Sequence, residues 1–206
     1  MAEAADVRRA LLDAAAVMLG EIDINEFSLR ECARRAGVSH GAPAHHFIGK
    51  TGLLTELAAE SFDALGRAID RRLLKSPADD AARFRAAAAA YIEYAVHNKA
   101  QFQLMYRADM IDQQSPRLRA AFEACYRRIY GSMTVLLGSN ARRLDERAVA
   151  RFAMAWSTIH GFAILALDGD FGTLGGFKGR DATHGVRHIL TLASDVIDEV
   201  VVTLTR

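Results

Sequence analysis

The chain has 206 residues, of which 51% are hydrophobic and 25% charged, and its net charge is +1. This is the balance of a globular chain that can bury a core without disulfides or metals, and it creates no overall field toward nucleic acid or membrane. The acids Glu3, Asp6 and Asp13 argue against a targeting peptide, and the most apolar run, residues 156–167, is too short to span a bilayer. We therefore expect a cytoplasmic protein that does not enter the membrane.

About nine helices are predicted in chain order, because the composition favours helices and the alternating apolar runs of strands are missing. The first helix presents Val7, Leu11, Ala14 and Met18 on one face. The next three helices cover residues 29–36, from after Ser39 to 46, and 50–74. The last five cover residues 79–97, 100–110, 116–137, 145–167 and 183–205. The predicted fold class is all-α, with residues 1–52 as one domain and residues 53–206 as a second.

Residues 27–53 carry the most informative pattern. Ser28 and Glu31 have the S-x-x-E spacing of a capping box at the start of the second helix. Ala33 allows a crossing helix to approach closely, and Gly37 favours the left-handed conformation that ends a helix and turns the chain. Ser39 is then expected to cap the third helix. This spacing predicts a helix-turn-helix, a motif that places its second helix in the major groove of DNA.

The same segment is locally basic, with four Lys and Arg residues against the single acid Glu31. Lys50 and the backbone amides that begin the fourth helix suit a phosphate. Pro43 has two interpretations: a stiffened, irregular third helix, or an apolar ring that contacts a thymine methyl group. The residues predicted to face bases are Ser39, His40, Gly41, Ala42, Pro43 and His45, and those predicted to lie near phosphates are Ser28, His46, Lys50 and Thr51.

At motif level, residues 5–60 resemble the TetR family of transcriptional regulators. Two positions depart from the family pattern. Ala44 stands where the family has a tyrosine, which removes a phosphate contact that the resemblance implies, and Asp23 stands where the family often has a glycine. Asp tolerates the left-handed region, so we expect the turn to be kept. The residues that carry the resemblance are Ser28, Leu29, Ala33, Ala36, Gly37, Val38, Ser39, Gly41, His46, Phe47, Lys50 and Leu53.

A second resemblance lies in AWSTIHGFAILALDG, where Trp156, His160 and Gly161 look like the signature of a C-terminal ligand-binding domain. This domain occurs in the branch of TetR-like regulators that is named for its Trp-His-Gly motif. The resemblance implies a homodimer that binds a near-palindromic operator in double-stranded DNA. It also implies repression that is relieved by a small molecule.

Aromatic residues crowd the middle of the chain, whereas its helices are otherwise rich in alanine. Plain core packing explains each of them singly, but as a set they predict a pocket for a mostly apolar effector. The predicted ligand-binding residues are Phe102, Met105, Tyr106, Phe122, Tyr126, Trp156 and His160. Apolar stripes on the last two helices predict a dimer surface: Val149, Phe152, Trp156 and Ile159 on one helix, and Ile189, Ala193, Val196, Val200 and Leu204 on the other.

Several other patterns do not support a site. Gly49-Lys50-Thr51 lacks the earlier glycine of a phosphate-binding loop, and residues 168–172 lack the ligands of a calcium loop. Neither a metal, a cofactor nor a catalytic group is therefore expected, and Cys32 and Cys125 are expected to be reduced, partly buried thiols. A repressor is the favoured function. An activator or a ligandless regulator of the same fold, and with little weight an enzyme, remain alternatives.

Overall fold

A computed structural model describes residues 2–137, 145–169 and 182–205. Within these ranges the chain forms nine α-helices, one 3₁₀ helix at Ile24–Glu26 and no strand, so the all-α prediction is confirmed. The helices are α1 (Ala2–Glu21), α2 (Leu29–Arg35), α3 (Ala42–His46), α4 (Gly49–Leu73), α5 (Asp80–His97), α6 (Lys99–Met105), α7 (Pro116–Leu136), α8 (Glu146–Asp168) and α9 (Ala182–Thr205).

The chain divides into two compact units. Unit 1 contains Met1–Ala64 and Asn98–Glu123, and unit 2 contains Leu65–His97 and Ala124–Arg206. The predicted boundary between residues 52 and 53 does not follow this division, because the start of α4 and all of α6 belong to unit 1 with the first three helices. As a division of function, that boundary stays a prediction.

Polar side chains fix where several helices begin. The carboxylates of Asp79 and Asp145 each accept a hydrogen bond of 2.7 Å from the backbone N–H three residues later, at the starts of α5 and α8. The Ser115 hydroxyl accepts a longer bond of 3.4 Å at the start of α7, where Pro116 has no N–H to satisfy. Gly169, at φ +79°, ends α8 in the left-handed conformation. These ends follow the sequence expectations to within a residue.

Unit 1 is built around α1, which contacts α2, α3 and α6. Leu11, Leu12 and Met18 of α1 are fully buried, together with Leu53 of α4 and Phe102 of α6. Full burial of one such side chain contributes about 1.5–3 kcal/mol of hydrophobic free energy. This core holds the helix-turn-helix on a rigid base.

Unit 2 is built around α5, which contacts both α8 and α9. Its alanines Ala87 and Ala90 are buried and allow the helices to approach closely around the large side chains of Phe84 and Tyr91. Ion pairs flank this core, such as Arg85 with Asp198 at 2.6 Å and Arg72 with Glu93 at 2.7 Å. The guanidinium of Arg151 donates to the carbonyls of Thr203 and Leu204 and so satisfies the end of α9.

The apolar stripe of α9 differs from its prediction. Ala193, Val200 and Leu204 are buried within the chain itself, because α9 packs against α5 and α8. Ala193 and Leu204 are therefore wrong as members of a partner surface, whereas Val200 also lines a groove between α8 and α9. On α8, Ile159 is likewise buried, whereas Val149 is half exposed.

Helix α6 ends at Met105, five residues before its predicted end. The chain then turns, and the Arg107 guanidinium forms two hydrogen bonds with the Asp109 carboxylate at 2.8 and 2.9 Å. These hydrogen bonds lower the pKa of Asp109 to about 2. The local ion pair favours a turn where helical propensity alone predicts a longer helix.

Among the described residues, α8 is long and apolar enough to cross a membrane by length and composition. The sequence analysis excluded such a segment because it counted only residues 156–167. One such helix is weak support for a membrane protein, since the core helix of a globular unit has the same character, and α8 contacts α5 and α9. Part of its apolar surface nevertheless stays uncovered within one chain.

Candidate DNA-binding surface and ligand pocket

The turn after α2 has the hydrogen bonds of a Schellman motif. The N–H of Val38 donates to the carbonyl of Ala33 at 3.0 Å, and the N–H of Gly37 donates to that of Arg34 at 3.2 Å. Gly37 has φ +68°, the left-handed conformation that the sequence predicts. Ala33 is fully buried where the helices cross. The predicted helix-turn-helix is therefore present, with α2 and α3 as its two helices.

The predicted capping box is wrong. Ser28 stands at the N-cap of α2, but its side chain makes no capping hydrogen bond. The Glu31 carboxylate instead accepts hydrogen bonds from Arg34 and Arg35, at 2.7 to 2.8 Å. Two guanidiniums one turn away compete better for this carboxylate than a backbone N–H does.

The third helix is shorter than predicted and begins two residues later. Gly41, not Ser39, is its N-cap, and Pro43 is its second residue, where a missing N–H costs no intrahelical hydrogen bond. Ser39 contributes its backbone carbonyl, which accepts from the N–H of Ala42 at 3.0 Å. The stiff proline thus fixes the first turn of α3.

Pro43 is buried, so the prediction that its ring contacts a base is wrong. The side chains that face solvent around α3 lie on the opposite side of this short helix. The exposed residues are Ser39, His40, Gly41, Ala44 and His45, and the half-exposed ones are Ala42 and His46. All other residues predicted to face bases therefore remain accessible.

Lys50 is part of the fold at the start of α4. Its ammonium group donates to the carbonyl of Ile24 at 3.0 Å and lies 5.7 Å from the ring centre of Phe27. It therefore ties α4 to the 3₁₀ helix that precedes α2. The neighbouring Thr51 is exposed.

The 3₁₀ helix also corrects the expectation for Asp23. This residue has φ −63°, not a left-handed conformation, and its carboxylate caps the N–H of Asn25 at 2.7 Å. At the position where the family often has a glycine, Asp23 therefore caps the 3₁₀ helix with its side chain.

Ile48 was not predicted as a site residue, yet it is the large apolar residue with the greatest exposure among those described, at 93%. It lies between the end of α3 and Gly49, whose φ of +66° turns the chain into α4. An isoleucine in that turn, where polar residues are usual, was the signal in the sequence. Its position beside α3 makes it a candidate for apolar contact with DNA.

The local charge excess is smaller than the sequence count. Arg34 pairs with Glu31, and Arg35 pairs with both Glu31 and Glu21. The hydrogen bonds from Arg34 and Arg35 lower the pKa of Glu31 to about 2, so this carboxylate keeps its charge at neutral pH. Arg30 is exposed and forms no ion pair with any described residue.

Gly37→Ala is expected to destabilise the protein by about 1 kcal/mol, because an L side chain in the left-handed region is strained. A Cβ at Gly37 would meet no atom within 4 Å, so backbone strain alone is tested. Gly20→Ala in α1 is the matched control. It also meets no atom, and it should stabilise the helix by about 0.5 kcal/mol. Urea unfolding measures both, and equal effects of the two variants would contradict the assigned turn.

The predicted ligand-binding residues are divided between the two units. Phe102, Met105, Tyr106 and Phe122 belong to unit 1, whereas Tyr126, Trp156 and His160 belong to unit 2. The single set predicted from the sequence is therefore two groups, each described separately.

Unit 1 contains a pocket of about 460 Å³. Two edge-to-face contacts form its aromatic wall, with Phe62 centred 5.4 Å from Phe122 and 6.2 Å from Tyr106. Phe122 is 43% exposed and Tyr106 37%, which is high for such large side chains. Phe102 is fully buried against Tyr106 and supports the wall. The lining residues are Phe62, Met105, Tyr106, Ile111, Gln113, Leu118, Arg119, Phe122 and Glu123.

In unit 2, Trp156 and His160 stack with their ring centres 5.4 Å apart and their planes 9° from parallel. The Tyr91 hydroxyl lies 2.7 Å from Nδ1 of His160. Burial lowers the pKa of His160, which favours a neutral ring. Tyr126 contacts Trp156 edge-on at 6.2 Å. This aromatic cluster brings together side chains of α5, α7 and α8, and it contains the hydrogen bond between Tyr91 and His160.

Both cysteines are buried, more fully than predicted. The Cys32 thiol donates to the carbonyl of Leu11 at 3.3 Å, and burial raises its pKa to about 11. A thiol with this pKa is a poor nucleophile at neutral pH. In the part of the chain that the structure describes, no three His, Cys, Asp or Glu residues are grouped so as to hold a metal ion. Asp170 and Gly172 of the rejected calcium pattern lie outside the described residues.

Comparison with known proteins gives relatives for both parts of the chain. HTH-type transcriptional regulator BetI of Yersinia pestis (strain Pestoides F) is 30% identical over 127 residues, which are 61% of this chain. The chain spans 64% of the length of that relative. A protein of unknown function from Rhodococcus sp. RHA1 has a similar structure, with a TM-score of 0.70, 30% identity and 93% coverage of each chain. The TetR-like transcriptional regulator LfrR from Mycobacterium smegmatis, solved in complex with proflavine, shares the fold with a TM-score of 0.59 and 22% identity, over 93% of this chain and 96% of LfrR.

Two sequence profiles match. Residues 11–57 match the profile described as bacterial regulatory proteins, tetR family, and residues 84–191 match the one described as Tetracyclin repressor-like, C-terminal domain. The second match covers more than half of the chain. The Trp-His-Gly branch stays a prediction. With its helix-turn-helix and helical C-terminal part, the chain belongs to the TetR family of bacterial transcriptional regulators.

Proposed function

We propose that this chain is a homodimeric repressor that binds a near-palindromic operator and leaves it when a small, mostly apolar molecule binds. The observation that carries this proposal is that the unit 1 pocket and the helix-turn-helix belong to the same compact unit. A ligand in that pocket acts on the packing of the DNA-binding elements themselves.

The proposed DNA contacts follow from exposure around α3. Ser39, His40, Gly41, Ala42 and His45 would approach base edges, while Ile48 would add an apolar contact to a sugar or a thymine methyl group. The proposed phosphate contacts are Ser28, His46, Lys50 and Thr51. Lys50 has three N–H donors, so its bond to Ile24 is compatible with a phosphate contact.

The proposed dimer surface lies on α8 and α9. A shallow groove there is lined by Met154 and Thr158 of α8 and by Asp195, Val196, Glu199, Val200 and Thr203 of α9. Leu165, on the same face of α8 as Met154, is 41% exposed. A second copy would cover the apolar part of this surface, and two-fold symmetry would place equivalent surfaces against each other. Two recognition helices on one operator require such a dimer.

The proposed effector site is the unit 1 pocket. Its volume of about 460 Å³ lies in the usual range for small-molecule sites, and most of its lining is apolar or aromatic. Gln113, Arg119 and Glu123 supply polar groups that would orient the ligand. A largely apolar compound with one or two polar groups fits this lining.

A hydrogen bond links the pocket to the start of α4, the helix whose Phe62 also lines the pocket. The pocket residue Ile111 precedes Asp112, whose N–H donates to the Thr55 hydroxyl at 2.8 Å. That hydroxyl donates in turn to the carbonyl of Thr51 at 2.6 Å, beside the proposed phosphate contacts. Thr55 is 5% exposed, so water competes poorly for these bonds. A ligand that displaces Ile111 would therefore act on the start of α4.

The deciding experiment selects DNA from a random pool with the purified protein and measures fluorescence anisotropy on the selected site. We expect a near-palindromic consensus and a loss of affinity when aromatic compounds of pocket size are added. Failure to enrich any sequence would overturn the regulator proposal. Enrichment without a ligand effect, and without any compound raising the melting temperature, would favour a ligandless regulator.

Thr55→Val should keep operator affinity but weaken the ligand response, because coupling between two sites is a free energy of about 1–3 kcal/mol that this bond would help to transmit. The variant keeps the side-chain shape and removes the acceptor for Asp112. Ser61→Ala is the matched control, because the Ser61 hydroxyl is also buried on α4 but bonds only within its helix, to Leu57 at 2.7 Å. Anisotropy titrations with and without ligand measure the ratio of affinities. An unchanged ratio in Thr55→Val would contradict this link.

A further inference from the structure

Unit 2 contains a basic cleft of about 360 Å³ that shares no lining residue with the proposed effector pocket. It lies between the end of α4, the first turn of α5 and the second half of α7. We call it the arginine cleft. Its lining residues are Leu73, Asp80, Arg83, Arg127, Arg128, Gly131, Ser132 and Val135.

Arg128 is held in place. Its Nε donates to Asp70 at 2.7 Å, and one Nη donates to the carbonyl of Ala124 at 2.7 Å. The guanidinium also packs closely over Gly66, where an added Cβ would lie 3.5 Å from it. The hydrogen bond from Arg128 lowers the pKa of Asp70, which keeps this pair charged. Arg128 therefore forms one wall of the cleft, with its position fixed by hydrogen bonds and its charge balanced by Asp70.

Arg83 and Arg127 give the cleft its net positive charge. Both are exposed, and neither forms an ion pair with any residue that the structure describes. Asp80 is the acid in the lining and offsets one of these two charges. Two guanidinium groups that line one cleft repel each other unless an anion lies between them. The planar fork of a guanidinium matches the oxygens of phosphate, which can accept from both arginines at once.

The remaining lining suggests what is attached to the anion. Leu73 and Val135 supply apolar surface, and Val135 is 50% exposed. The Ser132 hydroxyl donates to the carbonyl of Ile129 at 2.8 Å and keeps its lone pairs as acceptors. We propose that the arginine cleft binds a small organic phosphate, with the phosphate between Arg83 and Arg127 and its organic group against Leu73 and Val135. This proposal does not depend on the repressor function.

The test is isothermal titration of the full-length protein with phenyl phosphate and with inorganic phosphate, at constant ionic strength. We expect saturable binding of phenyl phosphate and weaker binding of inorganic phosphate. The double variant Arg83→Gln/Arg127→Gln should bind phenyl phosphate at least about tenfold more weakly, because each charge-assisted hydrogen bond is worth about 1.5–3 kcal/mol. Arg187→Gln, an exposed arginine of α9, is the control for net charge and should bind like the parent chain.

A second variant tests the volume of the cleft without changing its charge. A Cβ at Gly131 would meet no atom within 4 Å, so Gly131→Leu should fold and fill part of the cleft. It should abolish binding of phenyl phosphate more strongly than that of inorganic phosphate. Absence of saturable binding to the parent chain would overturn the proposal. So would an equal loss in Arg187→Gln, or a double variant that loses affinity for non-specific DNA instead of for phosphate.

Discussion

Leu165→Arg is expected to convert the proposed dimer into a monomer and to weaken operator binding by at least about a hundredfold, because linked half-sites gain a factor of about 10²–10⁴ from bivalency. Leu165 lies on the same face of α8 as Met154 and Thr158, which line the groove beside α9. A guanidinium in place of Leu165 would lose its water on dimerisation and would disrupt the apolar packing between the two copies.

Light scattering at micromolar concentration and anisotropy on the selected operator measure the two effects. Leu74→Arg is the control, because it adds the same charge outside α8 and α9. Leu74 is 87% exposed, just after the end of α4. We expect this control to remain dimeric and to bind the operator. If Leu165→Arg stays dimeric at the same concentration, then α8 and α9 do not form the interface.

Phe84→Ala is expected to have the largest effect on stability, with a loss of about 3–5 kcal/mol. Phe84 is 1% exposed on α5, the helix that contacts both α8 and α9. Removal of its ring leaves a cavity that three packed helices cannot close. For a chain of this length, the expected drop in melting temperature is about 2–4 °C for each kcal/mol lost.

Phe122→Ala separates stability from ligand binding. Phe122 is 43% exposed on the wall of the unit 1 pocket, so its loss should cost much less free energy of unfolding than that of Phe84. It should nevertheless abolish stabilisation by an aromatic ligand. Both variants must be unfolded in urea at the same protomer concentration, because dimerisation adds to apparent stability. Equal losses of stability would show that the pocket wall is ordinary core.

The helix ends that depend only on nearby residues in the chain were predicted from the sequence. Gly37 ends α2 because few residues other than glycine adopt φ +68°, and Asp145 begins α8 because its carboxylate satisfies an orphan N–H. Local rules were wrong where several partners compete for one group. Glu31 has the spacing of a capping box but bonds to two arginines, and Ser39 could not cap α3 because Pro43 fixes the start of the helix further along.

The candidate sites depended more on tertiary structure. Phe122 and Tyr126 are one turn apart on α7, yet the first belongs to unit 1 and the second to unit 2. No periodicity distinguishes them, because the division depends on which other helices pack against each half of α7. The same reason explains α9: its apolar stripe suggests a partner surface, but packing against α5 and α8 buries Ala193 and Leu204 within the chain.

The ion pairs of α2 have a consequence for how the operator complex responds to salt. Counterions leave DNA in proportion to the cations that replace them, and affinity falls with a logarithmic slope of about −0.9 for each phosphate neutralised. Arg30, Arg34, Arg35 and Lys50 in both copies would give a slope of about −7, whereas a pair of cations per copy gives about −3.6. Because Glu31 and Glu21 already neutralise Arg34 and Arg35, the shallower dependence is expected. With a slope of about −3.6, each doubling of the salt concentration would lower operator affinity about twelvefold, whereas a slope of about −7 would lower it more than a hundredfold.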